Sequence, residues 1–442
     1  MNWFTEMGLQ GTTPSLVEDT TVVRKVLVIA GHFPPMKSGE ATHAFHLSKQ
    51  LQQRGYEIDV LTSRGAINGN GHGIRVHPVM RNWSWKESPI LMKFIRRCSP
   101  DVILLMYIGL IYNEHAMVTY APTLSKLVLP AAAFVTLLEY PIGADSSKTI
   151  ISRIVRKTAA RLAGPQNVDY CYGTLLRDSN RIITLSDSHR VTLAKDYPGV
   201  NSKAVVIPPP PLLPMLPDEN GAVRYEARGL LGVKSDEILI AYFGYIYVGK
   251  GVETLLKAFQ KVSAYHKTVR LILIGGVQYL SGSFLETIYR LPKELGIEEK
   301  VIWTGEYASD SDKPSRYLHA ADICVLPFDK GVDLNNSSFA AAAAHGLPII
   351  TTHSAGVESI FLHNENVFLC PPKKPDALAA AIETLIANPV LRKRLGSGAR
   401  DLAQEWFSWE KAIERITKTL NAARRDNGCT TAQTKESSTS IF

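Results

Sequence analysis

Paired cysteines are missing from this sequence. Its 442 residues include five cysteines and no CxxC pair. They are Cys98, Cys171, Cys324, Cys370 and Cys429. Zinc sites and disulfide-rich scaffolds need closer and more regular spacing than this. We therefore expect no metal site of that type, and we interpret the cysteines as reduced structural thiols of a cytosolic protein.

A long apolar run is also missing. The longest one extends only from Leu127 to Leu138 and is interrupted by Pro130. A helix needs ~20 apolar residues to cross a bilayer. Residues 1–22 carry acids and lack the hydrophobic segment of a signal peptide. The sequence thus predicts a cytoplasmic protein with neither a membrane span nor an export signal.

The GxGxxG loop of dinucleotide-dependent redox enzymes is absent, and so are nucleic-acid-binding motifs and clusters of acids that would hold a metal. The formal net charge is nevertheless +8. Such a charge suits nucleic acid, an anionic membrane surface or an anionic small substrate. Because the basic residues are scattered, we favour a diphosphate-bearing substrate or a peripheral contact at the inner membrane face. The remaining alternative is that the net charge only keeps the protein soluble.

Two series of alternating strands and helices fill the chain. The first begins at Val26–Ala30, a continuous apolar run typical of a strand covered on both faces, and the second begins at Ile238–Phe243. The other predicted strands are Ile58–Leu61, Ile74–Val79, Val102–Met106, Ala132–Thr136, Arg181–Leu185, Ala204–Ile207, Leu271–Ile274, Val301–Thr304, Ile323–Leu326 and Ile349–Thr352. Strands separated by helices predict an α/β fold with parallel, doubly wound sheets.

Four consecutive prolines, Pro208 to Pro211, separate the two series. Proline cannot continue a helix or a central strand, so we interpret this stretch as a stiff interdomain linker. The predicted organisation is a disordered segment at 1–22, Rossmann-like domains at 23–212 and 213–425, and a disordered tail at 426–442. We expect the final helix of the second domain to pack back toward the first. Parallel sheets bind ligands at the carboxyl ends of their strands, which predicts a ligand in the cleft between the domains.

Two loops that follow a strand and open a helix are candidate phosphate sites. Ser38 and Gly39 follow the first strand, where glycine and the free N–H groups of a helix start suit a phosphate or a sugar hydroxyl. Gly244 and Lys250 follow the first strand of the second series. A lysine there can reach a diphosphate and offset charge on a leaving group. The alternatives are a structural glycine and a solvated lysine in a flexible loop.

Acids and amides supply two further candidates. A run of polar residues ahead of an alanine-rich helix comprises Asp333, Asn335, Asn336, Ser337 and Ser338. Such residues start helices, and their N–H, amide and hydroxyl groups can receive phosphate oxygens. Ordinary helix capping is the alternative. Glu139 ends a strand of the first series, where an acid can contact sugar hydroxyls or assist an acceptor, and a surface glutamate is the alternative.

The order of several short motifs gives a family resemblance over roughly residues 24–422. The motifs are Phe33-Pro34-Pro35 with Ser38-Gly39, then Gly249-Lys250-Gly251, then His345-Gly346-Leu347-Pro348, and then Phe407-Ser408-Trp409. Together they resemble the retaining glycosyltransferases of family four, whose GT-B architecture has two Rossmann-like domains facing across a cleft. The resemblance implies transfer of a hexose from a UDP- or GDP-linked donor to an acceptor hydroxyl, without a metal or other cofactor. It implies that Lys250, Glu139 and Asp333 form the catalytic set.

The sequence departs from the family at several polar positions. The two glutamates of the family fall on Asp333 and Ala341, and alanine cannot hold a ribose. The arginine that accompanies the diphosphate lysine falls on Tyr245, and the histidine of the first domain falls near Leu138. We expect Asn335–Ser337 to compensate at the phosphates.

The resemblance also implies a mechanism. As the diphosphate leaves, Lys250 and the helix start at Asn335–Ser338 neutralise its charge, the anomeric carbon becomes oxocarbenium-like, and the acceptor attacks from the same face. The alternatives are a GT-B sugar epimerase and a non-catalytic nucleotide-sugar sensor or partner subunit, which Ala341 and Leu138 favour. The interpretation as a nucleic-acid-binding protein depends on the net charge alone, and it predicts salt-dependent DNA binding. The acceptor, a saccharide, a lipid-linked sugar or a small metabolite, stays open.

Overall fold

The computed structural model describes residues 22–67, 69–113, 115–139, 172–278, 282–353 and 358–439. Its strands form two sheets, one before and one after the proline stretch. We call the first sheet with its covering helices the first lobe, and the second sheet with its covering helices the second lobe. The predicted α/β fold of two doubly wound, Rossmann-like halves is confirmed.

The first sheet has the strand order β3-β4-β2-β1-β5-β6-β7-β8. Its strands are β1 (Lys25–Ile29), β2 (Glu57–Ser63), β3 (Gly69–Gly71), β4 (Ile74–Met80), β5 (Val102–Tyr107), β6 (Ala133–Leu138), β7 (Arg181–Thr184) and β8 (Ala204–Val206). Neighbouring strands are parallel except for β3, which pairs antiparallel with β4. Every residue of β5 and β6 is buried, as expected of strands with helices on both faces.

The second sheet has the order β11-β10-β9-β12-β13-β14, and its strand pairs are parallel. Its strands are β9 (Ile238–Phe243), β10 (Val269–Ile274), β11 (Val301–Trp303), β12 (Ile323–Leu326), β13 (Ile349–Thr352) and β14 (Phe368–Cys370). All the strands that the sequence predicts are present in the two sheets. The three-residue strands β3 and β14 were not predicted from the sequence.

Helices cover both sheets. In chain order they are α1 (Gly39–Gln53), α2 (Ser88–Cys98), α3 (Ala116–Thr119), α4 (Ala121–Val128), α5 (Leu175–Asp178), α6 (Asp187–Asp196), α7 (Ala222–Leu230), α8 (Val252–Tyr265), α9 (Gly282–Glu294), α10 (Lys313–Ala320), α11 (Ser337–Ala344), α12 (Pro375–Ala387), α13 (Pro389–Trp406) and α14 (Trp409–Thr439). Short 3₁₀ helices lie at Trp85–Glu87, Gly109–Tyr112, Pro198–Ser202 and Glu298–Lys300.

The last helix returns to the first lobe. Its apolar side chains Ile413, Ile416 and Leu420 pack in the same core as Val26 and Val28 of β1. The proline stretch lies between β8 and α7, where the Trp409 indole donates a hydrogen bond to the Pro211 carbonyl at 2.9 Å. The helix therefore joins the end of the chain to the linker and to the first sheet.

The structure differs from the disordered tail predicted at 426–442, because α14 continues to Thr439. Asp426 makes an ion pair with Arg181 at 2.6 Å, and the Asn427 amide donates to the Pro130 carbonyl at 2.9 Å. Arg181 begins β7 and Pro130 lies on the loop before β6, both far away in sequence, so composition alone did not indicate these partners. The predicted disordered segment falls, apart from Val22, outside the described residues, as does Cys171.

Candidate active site

Loops from the carboxyl ends of the two sheets meet in the cleft. The Asn335 amide of the second lobe donates to the Glu139 carbonyl of the first at 2.9 Å. The Ser188 hydroxyl of the first lobe donates to Asp333 Oδ2 of the second at 2.6 Å. Other contacts between the lobes join His46 Nε2 to the Ser309 carbonyl at 2.9 Å, the Thr42 and Ser309 hydroxyls at 3.3 Å, and Lys37 to Glu306. Candidate residues of both lobes are thus brought together.

The polar run after β12 forms a tight turn ahead of α11. The Asp333 N–H donates to Asn336 Oδ1, and the Asn335 N–H donates to Asp333 Oδ1, both at 2.8 Å. Asn336 occupies the N-cap position, yet its side chain makes no capping hydrogen bond to α11. The alternative of ordinary helix capping does not hold for the Asn336 side chain, because its amide oxygen accepts the Asp333 N–H within the turn. Among the described residues, no side chain caps the first N–H groups of α11, which begins at Ser337, so these groups are available to another acceptor.

Gly244 lies beside Ser338 of α11. Gly244 follows β9 with a φ of +125°, and a Cβ built on it would collide with the Ser338 hydroxyl. Only glycine allows this backbone conformation and this close approach. The loop that contains Gly244 therefore lies against the first turn of α11. Backbone groups of both segments are close enough together to bind one phosphate.

Lys250 lies in the same loop, two residues before α8. Its ammonium is 5.1 Å from the centre of the Tyr247 ring and 4.9 Å from that of Phe328. Phe328 follows β12, so the two rings place the lysine at the carboxyl edge of the second sheet. Gly251 continues the loop with a φ of +72°, and a Cβ there would overlap the Pro327 carbonyl. The half-buried lysine is thus held between the loops that follow β9 and β12.

In the first lobe, Ser38 and Gly39 begin α1. The Ser38 hydroxyl caps the helix by accepting the Ala41 N–H at 3.0 Å, and it also lies 3.2 Å from His32 Nδ1. The space next to the Cα of Gly39 is open. Ser38 therefore has a structural role as an N-cap, and the open position beside Gly39 is the part of this loop where a ligand could approach.

Two residues beside Glu139 were not singled out from the sequence. His43 Nδ1 lies 2.8 Å from Glu139 Oε1, and Glu40 accepts the N–H groups of Gly31 and His32 at 2.8 and 3.2 Å. Burial, together with the nearby charge of Glu139, raises the pKa of Glu40 well above its ordinary value. Glu139 is itself only 12% exposed, so the alternative of a surface glutamate is wrong.

Glu358 is a further acid that the sequence analysis missed. Its Oε2 accepts the Leu334 N–H at 3.1 Å, which connects it to the turn ahead of α11. Burial, reinforced by the Asp333 carboxylate, raises the pKa of Glu358 to about 7. Glu358 lies 25 residues after Asp333, on another loop, so no local pattern marked it.

Three residues that differ from the family pattern have clear structural surroundings. Ala341 is fully buried in α11, and its carbonyl accepts a hydrogen bond from His345 Nδ1 at 2.7 Å. Leu138 is fully buried at the end of β6. Tyr245 forms a side-chain hydrogen bond with Thr42 of the first lobe, and burial raises its pKa. These positions contribute to the core or to the contact between the lobes.

The described ranges contain neither a metal-binding cluster of side chains nor a membrane-spanning helix. No group of three or more His, Cys, Asp or Glu side chains there is arranged to hold a metal ion. None of the helices in that part of the chain is both long and apolar enough to cross a membrane.

Comparisons with known proteins fit this geometry. The family model described as "Glycosyl transferases group 1" matches residues 224–402, and the model described as "Glycosyl transferase 4-like" matches residues 36–127. One match lies in each lobe. The chain therefore belongs to the family-four-like glycosyltransferases of the GT-B fold.

Relatives and neighbours are distant. An uncharacterized glycosyltransferase of Methanocaldococcus jannaschii is 26% identical over 44% of this chain and 48% of its own length. A GDP-mannose-dependent α-(1-6)-phosphatidylinositol monomannoside mannosyltransferase of Mycolicibacterium smegmatis is 24% identical over 47% of this chain and 53% of its own. The chain spans about half the length of the curated relatives it matches. The structure of Anabaena HepE in complex with UDP and glucose superposes with a TM-score of 0.66 at 17% identity, covering 90% of this chain and 100% of HepE, and this likeness shows the fold.

Proposed function

We propose that the chain transfers a hexose from a nucleotide-sugar donor to an acceptor hydroxyl with retention of anomeric configuration. The observation that carries the proposal is the meeting of Glu139 and Asn335 across the cleft, at the carboxyl ends of both sheets. Parallel sheets of this kind bind ligands at that edge. A UDP- or GDP-linked donor is supported by the family of the chain. It is also supported by a relative named as GDP-mannose-dependent and by the HepE structure, which contains UDP.

In this proposal the diphosphate lies against the second lobe. The uncapped N–H groups at the start of α11 and the positive end of its dipole favour an anion, and the Gly244 loop lies beside them. Lys250 supplies a full positive charge at the same edge of the sheet. Because the chain's own groups offset the charge of the leaving diphosphate, the proposal requires no further cofactor.

The sugar then lies between this site and the first lobe. Glu139 and Asp333 contact the hydroxyl groups of the sugar or of the acceptor, and the acceptor attacks the face from which the phosphate departs. The departing phosphate takes the acceptor proton, so the bond to the acceptor forms on the side where the bond to the phosphate breaks. Contact between the lobes excludes water and so limits hydrolysis.

A second candidate is a non-catalytic nucleotide-sugar sensor or partner subunit. Ala341 favours it, since a buried methyl group cannot hold a ribose. Calorimetry with UDP-glucose, GDP-mannose and the free diphosphates, followed by a turnover assay with saccharide and lipid acceptors, separates the two functions. We expect binding followed by product. Binding without product with any acceptor would favour the sensor, and no binding of any of these compounds would contradict both.

We also propose a peripheral contact with an anionic membrane, through a basic face around α2. Trp85 and Ile90 are 47% and 41% exposed. The exposed cations on α2, α4 and the turn before α2 are Lys86, Lys93, Arg96, Arg97 and Lys126. The Trp85 and Tyr120 rings lie 5.6 Å apart, which places the start of α2 beside the start of α4. Each cation near an anionic surface contributes about 1 kcal/mol.

Sedimentation with vesicles tests this contact. We expect the chain to bind vesicles that contain phosphatidylglycerol and not pure phosphatidylcholine. The double change Lys86→Glu and Lys93→Glu should lower the bound fraction, whereas Lys257→Glu, an exposed lysine of α8 in the second lobe, should not. Equal binding by all three proteins would contradict the assignment.

A further inference from the structure

Two acids of the first lobe, Glu40 and Glu139, interact with each other, and His43 contacts one of them. Glu40 is fully buried, and its electrostatic interaction with Glu139 places two carboxyl groups close together. Two like charges at such a site disfavour each other. His43 is 4% exposed and lies within hydrogen-bonding distance of only one oxygen of Glu139, Oε1, at 2.8 Å. A buried donor that faces one oxygen of an acid in this way fixes the direction of the carboxyl group.

We propose that His43 is a positioning residue that directs the Glu139 carboxylate toward the hydroxyl groups of the transferred sugar. The inference rests on the proposed function and assigns a specific task to one side of its site. With Oε1 held by His43 Nδ1–H, the direction of Oε2 is also defined. Oε2 is the oxygen that accepts the sugar hydroxyl, in a charge-assisted hydrogen bond.

The position of Glu139 is the reason for assigning the sugar of the donor as the group that its side chain binds. Its carbonyl accepts the Asn335 amide from the turn ahead of α11, whose N–H groups are assigned to the diphosphate. A group linked to that diphosphate and extending toward the first lobe would meet the Glu139 side chain. His43 lies in the first turns of α1, a helix that Ser38 caps, so the donor to Glu139 is carried by an anchored element.

Two variants of His43 isolate this role. His43→Leu keeps a similar volume and removes the donor, and His43→Asn keeps an N–H donor near the place of Nδ1. Calorimetry would compare UDP-glucose and GDP-mannose with free UDP and GDP. We expect His43→Leu to weaken binding of the nucleotide sugar about tenfold, as for a lost hydrogen bond to a charged group, and to leave the free diphosphate within about twofold. His43→Asn should restore most of the loss.

His319→Asn is the matched control. His319 is a partly buried histidine of the second lobe whose Nε2 bonds the Leu216 carbonyl at 2.8 Å, and its replacement should leave the ratio of the two affinities unchanged. Equal losses of sugar nucleotide and free diphosphate in His43→Leu would mean that His43 only supports the fold, and would overturn the inference. So would unchanged binding of both.

A second measurement needs no donor. In ¹⁵N-histidine-labelled protein, the Nδ1–H signal of His43 should shift when Glu139 is changed to Gln, since the neutral amide replaces a charged acceptor. An unchanged signal would overturn the inference even if nucleotide sugars bind. If the unmodified chain binds no nucleotide sugar while the signal does shift, the pair exists but the proposed function, and with it the sugar-directing role, is wrong.

Discussion

The two faces of the cleft differ in how their polar groups are satisfied. In the first lobe, Glu40 and His43 are buried and the Glu139 side chain is only 12% exposed. Glu40 accepts the Gly31 N–H, and His43 contacts Glu139. In the second lobe, the start of α11 lacks a side-chain cap, and the ammonium of Lys250 rests on two aromatic rings. The polar groups of the first face therefore already have partners within the protein. The second face has positive groups whose partner is expected to be the anionic part of the donor.

Among the substitutions that test this difference between the two faces, replacing Lys250 should have the largest effect on the rate of transfer. Lys250→Ala removes the full positive charge assigned to the leaving diphosphate, and we expect kcat to fall about 100-fold or more. The measurement is the steady-state rate of transfer, with calorimetry to follow donor binding. Lys257→Ala, an exposed lysine in the following helix, is the control and should keep the original rate. An unchanged rate in a folded Lys250→Ala protein would remove the lysine from the mechanism.

A change at Gly244 would test whether the second face needs its close approach. Gly244→Ala adds a Cβ that collides with the Ser338 hydroxyl at a φ of +125°. We expect the free energy of unfolding to drop by about 1–3 kcal/mol and nucleotide binding to weaken. Chemical denaturation measures the first effect. Adding Ser338→Ala removes the colliding oxygen and should recover part of the stability, and a second change that recovers nothing would locate the damage in the backbone alone.

The sequence predicted the second face better than the first, for a physical reason. The residues Gly244, Lys250 and Asp333 follow strands within their own segments, so the strand pattern places them at one edge of a sheet. The partnership of His43 with Glu139 joins residues 96 positions apart, and nothing local indicates it. The same limit explains the tail, where Asn427 finds its partner on the loop before β6. Local patterns gave the strands, and long-range contacts decided which side chains pair.

Glu358 offers a pH-dependent test of the second face. Burial, with the charge of Asp333, raises the pKa of Glu358 from 4.5 to about 7 in the folded chain. Between these values the folded chain holds a proton that the unfolded chain releases, so Glu358 makes the free energy of unfolding fall as the pH rises from about 4.5 to 7. Glu358→Gln should flatten this part of the stability profile, measured by denaturation across that range. An identical slope in the variant would show that other groups cause it.

The smallest expected effect concerns the contact between the two faces. Ser188→Ala removes the hydroxyl that donates to Asp333 Oδ2 from the other lobe. This hydrogen bond is exposed, so its loss should shift the balance toward open lobes by only about 0.5–1 kcal/mol. Small-angle X-ray scattering would show a slightly larger radius without nucleotide. Thr192→Ala, which removes a hydroxyl bonded to the Ser188 carbonyl within α6, should leave the radius unchanged. If both variants keep the original radius, the remaining contacts, such as Asn335 with Glu139, are sufficient to hold the lobes together, and the second face is joined to the first mainly through its donor-binding turn.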